Sequence, residues 1–244
     1  MKFYRSLKPI KAISFDLDDT LYSNRPVMVA TERAMPPYFQ QLLAPLAVVD
    51  GLVFDRHFWA PHRTAVVEQT PELTHDVTAL RLATYQQGME SLGIATAQAT
   101  ELAQQAMAYF LATRSNFVVP PSSIALLQQL RQYVPVVAIS NGNVDTEAIG
   151  IKAHFDYIYH AGNGHRMKPA GDLFEQAAQD LGIACEHMLH VGDCGRADIL
   201  GALRAGCQAA WLSCYDVGKP LKVLPHIELS DVTQLAGLAP HLSS

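Results

Sequence analysis

The chain is predicted to be an α/β protein, a doubly wound parallel sheet with a helical segment inserted after its first strand. Three observations predict this. Short apolar runs alternate with amphipathic stretches through the second half of the sequence, as strand–helix crossovers require. One further apolar run, Ala12–Phe15, lies far upstream of the others. Between them, residues 23–115 are rich in Ala, Gln, Leu and Glu and carry little strand signal.

In chain order, Ala12–Phe15 reads as a buried strand whose C-terminal end opens into Asp-Leu-Asp-Asp-Thr. Pro36 and Pro37 imply a break or kink. Thr78–Leu92 and Ala97–Leu111 read as two helices joined around Gly93, with Thr96 as an N-cap. Pro120 and Pro121 mark the return to the sheet. After them, Ser122–Gln132 reads as a helix, Val136–Ile139 as a buried strand and Thr146–Gly150 as a short helix. Tyr157–His160 reads as a strand and Ala170–Leu181 as a helix. Met188–Val191 is a strand, Ala197–Ala205 a helix, Ala209–Leu212 a strand, and His226–Leu229 a last edge strand. Crossovers are expected to be right-handed. The expected division is an α/β core of residues 1–22 and 116–244, with a helical cap of residues 23–115.

Apolar residues make up 49% and charged residues 17%, which excludes a disordered or fibrous chain. The formal net charge of -5 argues against nucleic acid or an anionic membrane as partner, since both select basic surfaces. The longest apolar stretches are strand-sized, well short of the roughly 20 residues of a membrane span. Lys2, Arg5, Lys8 and Lys11 interrupt every apolar run near the N-terminus, so no signal segment is expected there. The four cysteines form no C-x-x-C pair and the ten histidines no H-E-x-x-H, so reduced thiols in a cytoplasmic protein are expected, without structural zinc.

Four polar clusters follow predicted strands or open helices beside them, where open α/β sheets bind ligands. Asp16 and Asp18 stand two residues apart just past a strand. One such carboxylate can attack an electrophile while the other transfers protons, although the same letters suit an acidic turn. Ser140, Asn141, Gly142 and Asn143 offer a hydroxyl and main-chain amides to an anion, or a simple cap and turn. Lys168 precedes Pro169 at a helix start and can neutralise phosphate, or be an ordinary surface lysine. Asp193 follows the run His190-Val191-Gly192 as a hard oxygen ligand suited to Mg²⁺, or a strand-end turn, with Asp198 at the next helix. Two ionised carboxylates at ~4 Å repel by about 4 kcal/mol at an effective dielectric near 20, so such a cluster calls for a cation.

In order and spacing, FDLDDT, ISNGN, MKP and VGDCGRAD resemble the four motifs of the haloacid-dehalogenase-like hydrolase superfamily, in its phosphatase branch. The resemblance covers nearly the whole chain and implies a Mg²⁺-dependent phosphomonoesterase. It implies Asp16 as nucleophile and Asp18 as proton donor and acceptor. Mg²⁺ would be held by the Asp16 carboxylate, the Asp18 carbonyl and Asp193. Ser140, Asn141 and Gly142 would take the phosphoryl oxygens, Lys168 would balance charge and Asp198 would orient Lys168 or the metal shell. Thr20 would fix the first loop beside the substrate. Where such enzymes often carry a second acid, this chain has Cys194. Further stretches, among them HDVTALR and LPHIELS, resemble bacterial flavin-pathway phosphatases acting on a ribitylamino-uracil phosphate and accepting flavin mononucleotide. The cap would then choose the substrate, through Arg25 and Arg81 with His75 and Asp76 nearby. The expected partner is a small phosphorylated metabolite, and the expected assembly a monomer or dimer. Competing readings are a phosphatase for a sugar phosphate or nucleotide, a haloacid dehalogenase, a phosphomutase, and a non-enzymatic binding protein on the same fold.

Overall fold

The computed structural model describes residues 1–46, 51–214 and 223–242. The chain divides into two compact units: Met1–Asn24, Val118–Gly142 and Thr146–Ser244 form one, and Arg25–Phe117 with Asn143–Asp145 the other. Each has its own apolar core, as separately stabilised units must.

The first unit is built on a seven-stranded sheet. Its strands are β1 (Lys2–Phe3), β2 (Ala12–Phe15), β3 (Val136–Ser140), β4 (Tyr157–His160), β5 (Met188–Gly192), β6 (Gln208–Leu212) and β7 (Ile227–Leu229), in spatial order β1-β7-β6-β5-β2-β3-β4. All neighbours pair in parallel except β1, which runs antiparallel to β7. Every residue of β2, β3 and β5 is buried, so these strands read as unbroken apolar runs rather than alternating ones. The amphipathic helix Asp172–Asp180 turns Leu173, Phe174, Ala177 and Ala178 into the core beside Val137, Ile139 and Met188.

The second unit is helical: α1 (Asn24–Leu43), α2 (Arg56–Gln69), α3 (Val77–Ser91) and α4 (Thr96–Arg114). Its core is aromatic. The Phe39 ring lies 4.5 Å from Trp59 and 5.0 Å from Tyr85, centroid to centroid. Gly88 permits this packing, because a Cβ there would meet the Trp59 ring at 2.5 Å. No helix among the described residues is long and apolar enough to cross a membrane.

Four elements differ from expectation. Helix α1 continues through Pro36 and Pro37 without a break. Each proline costs an N–H bond, but Met35, Phe39 and Leu43 are buried one turn apart, and burying such side chains returns about 1.5–3 kcal/mol each. Thr96 is the first helical residue of α4 and the cap position falls on Ala95, with no side-chain cap. Thr146–Gly150 forms turns, not a helix, ahead of a short 3₁₀ segment at Lys152–His154. Finally, β7 is not the edge strand, because β1 covers it. A two-residue strand beside charged residues has too little pattern to be read.

Candidate active site

Asp16, Ser140 and Asp193 come from the C-terminal ends of three adjacent parallel strands, in the order β3-β2-β5. They line a cavity of about 220 Å³ together with Asp18, Asp19, Asn141, Gly142, Lys168 and Asp198. Among the described residues lining it, Lys168 is the one cationic side chain.

Lys168 is buried and its three ammonium hydrogens are all committed. Nζ donates to Asp16 Oδ1 at 2.8 Å, to Asp198 Oδ1 at 2.6 Å and to the Ile139 carbonyl at 2.6 Å. The main chain around it is clasped by Asn141, whose side-chain amide accepts from Lys168 N–H at 2.8 Å and donates to Lys168 C=O at 2.9 Å. Ser140 Oγ accepts from the Gly142 amide at 3.0 Å, which tightens the turn after β3. Gly192 lets Asp198 approach, since a Cβ there would lie 2.3 Å from the Asp198 carboxyl carbon. Asp198 is further held by the Cys194 amide at 2.8 Å. Cys194 itself caps the turn at Gly195–Leu200, its sulfur accepting from Ala197 N–H. That is what the residue in place of a second acid does.

The electrostatics follow from burial around one cation. Burial would lower the Lys168 pKa, but Asp16 and Asp198 outweigh it and hold the ammonium charged above its ordinary value. Burial would raise Asp198, but Lys168 and His190 outweigh it and keep the carboxylate ionised well below the usual range. Asp16 is pushed up to about 7, by burial first and then by Asp198 and Asp18 against the pull of Lys168. Asp193, with no cation against it, is pushed up to about 8 by burial, Asp198, Asp16 and Asp19. The carboxylates of Asp16, Asp193 and Asp198 come within 4.8 Å of one another. Three acids against one lysine leave negative charge that a hard divalent cation fits. Both Asp198 oxygens are already taken, Oδ1 by Lys168 and His190 Nε2 and Oδ2 by the Cys194 amide, so Asp16 and Asp193 are the carboxylates suited to the ion.

This imbalance makes a stability prediction. The folded-state pKa of Asp193 is raised above its unfolded value, so the folded state holds its proton more tightly. Stability from that proton is full below about pH 4 and is lost as pH rises through about 8. In metal-free protein, Asp193→Asn should therefore match wild type near pH 4 and exceed it by on the order of 2–4 kcal/mol at pH 8.5. Added Mg²⁺ should stabilise wild type and leave the variant unmoved. Urea unfolding at the two pH values reads this, and a wild type more stable than the metal-free variant at pH 8.5 would contradict it.

Thr20 is buried, and its hydroxyl donates to Asp193 Oδ1 at 3.4 Å; it does not line the cavity. Tyr22 and Trp211 were not anticipated. Tyr22 Oη donates to Asp18 Oδ1 at 2.8 Å, and Trp211 Nε1 donates to the Asp193 carbonyl at 2.9 Å. In the helical unit Arg25 is exposed on α1. Arg81 lies on α3, its guanidinium 3.9 Å from the Phe110 ring centroid, and lines that unit's own cavity of about 690 Å³ with Phe39, Trp59 and Tyr85. His75 stands in the short turn before α3, and Asp76 caps α3 by accepting from Thr78 and Ala79 N–H.

Residues 10–206 match the haloacid dehalogenase-like hydrolase family, and the chain belongs to it. It is an enzyme of the hydrolase class with phosphatases among its relatives. Over 98% of this chain and 100% of the other, it is 37% identical to 5-amino-6-(5-phospho-D-ribitylamino)uracil phosphatase YigB of Escherichia coli strain K12. It is 25% identical to human N-acylneuraminate-9-phosphatase, over 95% of this chain and 94% of that one. Among solved structures, a 2-haloacid dehalogenase from Pseudomonas syringae pv. Tomato DC3000 superposes with a TM-score of 0.85 at 28% identity, covering 95% of this chain and 99% of that chain.

Proposed function

We propose that the protein is a Mg²⁺-dependent phosphomonoesterase working through an aspartyl-phosphate. The observation that carries this reading is Asp16 beside the buried Lys168 ammonium, with Asp18 two residues on in the same cavity. Asp16 attacks phosphorus and displaces the alkoxide. Asp18 gives its proton to the leaving oxygen, then takes one from the water that cleaves the acyl phosphate. Tyr22 fixes the Asp18 carboxyl for both transfers. Ser140, Asn141 and Gly142 receive the phosphoryl oxygens, and Lys168 supplies fixed positive charge where negative charge gathers. Asp16, Asp193 and the Asp18 carbonyl would hold Mg²⁺, which offsets the charge of the acids and the phosphoryl group.

The substrate proposed is 5-amino-6-(5-phospho-D-ribitylamino)uracil, with flavin mononucleotide accepted. The full-length likeness to YigB supports it. So does the aromatic cavity of the helical unit, where the half-buried Trp59 and Arg81 can meet a flat ring. We assign that unit the role of cap and substrate selector. The reduced-thiol usage, all four cysteines being free, fits the cytoplasmic setting that is part of this proposal.

The likeness to a 2-haloacid dehalogenase favours a second reading, hydrolysis of a carbon–halogen bond by the same Asp16. That reaction needs neither a proton donor at Asp18 nor acids calling for a cation, so the phosphatase is preferred. One panel separates the readings: phosphate release from both ribityl substrates, sugar phosphates and an aryl phosphate, with Mg²⁺ or EDTA, beside halide release from a 2-haloacid. Phosphate release that EDTA abolishes and Ca²⁺ inhibits is expected, with no halide release. Ca²⁺ takes more ligands at longer distance and would misalign Asp16. Halide release without phosphate release would establish the dehalogenase. Sugar phosphates ahead of both ribityl esters by about tenfold or more in kcat/KM would overturn the flavin-pathway substrate alone.

A further inference from the structure

Behind the ion-pair cluster lie two polar side chains that the mechanism above does not use. Ser14 on β2 and His190 on β5 are directly paired across neighbouring strands, and both are fully buried. A polar pair at the centre of an apolar sheet is costly unless every polar atom is satisfied. Here each is. Ser14 Oγ lies 2.9 Å from His190 Nδ1, and His190 Nε2 lies 3.2 Å from Asp198 Oδ1, the same oxygen that receives Lys168 at 2.6 Å. The edge of the imidazole packs on Phe174 at 4.8 Å, near perpendicular.

The chemistry of the atoms fixes the direction of these bonds. An ionised carboxylate only accepts, so Nε2 carries the hydrogen. Burial pushes His190 down to about 4, with Lys168 adding to the effect against the pull of Asp198, so the ring is neutral. Nδ1 then accepts, and the Ser14 hydroxyl donates to it. The chain of donors runs from Ser14 to His190 to Asp198, and Asp198 in turn receives Lys168, which reaches Asp16.

We propose that Ser14 and His190 are positioning residues: Ser14 sets the His190 tautomer, and the His190 Nε2–H holds Asp198 so that Lys168 stays aimed at Asp16. Without this donor, Asp198 keeps only the Cys194 amide and Lys168, and its carboxylate is free to turn and draw the ammonium away from the attacking oxygen. The effect belongs to the chemical step rather than to substrate binding. Its kinetic part rests on the phosphatase reading, while its tautomer part does not.

The test compares full-length wild type with His190→Phe, His190→Gln and Ser14→Ala, all with Mg²⁺ and an aryl phosphate. Hydrogen bonds that orient metal ligands cost about 10–100-fold in activity when lost, and the same scale is expected for one that orients the Lys168 partner, so His190→Phe should lose that much kcat with KM little changed. Gln places an N–H donor where Nε2 stood, so His190→Gln should recover most of the loss. Ser14→Ala should lower kcat in wild type and have no further effect in His190→Phe. Nitrogen-15 NMR of the His190 ring should show the Nε2–H form in wild type. Thermal melts of all variants identify any failure to fold, and the tautomer is read on wild type regardless. Unchanged kcat in folded His190→Phe, absent rescue in folded His190→Gln, or an Nδ1–H tautomer would each overturn the relay. Absence of any phosphatase activity in wild type would instead overturn the proposed function, leaving the tautomer to decide the relay.

Discussion

Asp16→Asn is expected to lower kcat by at least about a thousandfold, as removal of a nucleophile does, while the fold persists. The fold should persist because Asp16 is strained as an ion. Burial and the neighbouring acids push its carboxyl up to about 7 against the pull of Lys168, so a neutral amide of the same shape relieves desolvation and repulsion that offset the lost ion pair. Lys168 keeps Asp198 and the Ile139 carbonyl as partners. The measurement is kcat on an aryl phosphate beside a thermal melt. Retention of more than about a tenth of wild-type kcat in a folded variant would remove Asp16 from the chemistry.

Lys168→Met should be damaging on both counts. Its ammonium neutralises two buried carboxylates, at 2.8 and 2.6 Å. Removing one partner of a buried ion pair costs about 3–5 kcal/mol, because the charge left behind has neither water nor counter-ion. The cost has a pH signature. In the variant Asp198 loses the partner that holds its pKa down, and both acids become easier to protonate. The deficit should be greatest near pH 8 and shrink as pH falls toward 4, where a protonated pair needs no cation. The fixed positive charge at the phosphoryl group is also lost, and kcat should drop by about 10²–10³-fold, the loss typical of one electrostatic donor. Urea unfolding at pH 8 and pH 4.5, with kcat at pH 7.5, reads these effects. Equal stability of variant and wild type at pH 8 would contradict the ion-pair description.

Three of the four clusters are legible because each sits at a strand end, where an apolar run stops at a carboxylate, hydroxyl or glycine, and Lys168 because it precedes Pro169 ahead of a helix. Asp16, Ser140 and Asp193 are brought together simply because β2, β3 and β5 are neighbours in a parallel sheet. The strands themselves were readable for the same reason: they are buried on both faces and carry continuous apolar runs. What could not be read depends on contacts between distant segments. His190 looks like one more residue of an apolar strand until Ser14 and Asp198 are seen on either side of it. Tyr22 reads as an apolar residue after the first motif, and its hydroxyl matters only because the chain turns back on Asp18. The role of Asn141 as a clasp on the Lys168 main chain is likewise invisible across 27 residues of sequence. A break at Pro36 and Pro37 is expected from local rules because they weigh the lost N–H bonds and not the buried stripe Met35, Phe39 and Leu43, which keeps α1 continuous.

Covalent catalysis by Asp16 is tested most directly by trapping the intermediate. A phosphorus-labelled aryl phosphate would be mixed with enzyme and Mg²⁺, quenched with acid on the millisecond scale, and the protein digested and mapped. Label should appear on the peptide bearing Asp16, turn over when unlabelled substrate is added, and be absent from Asp16→Asn. Hydrolysis at full rate with no labelled protein at any quench time, or with label on another residue, would contradict it.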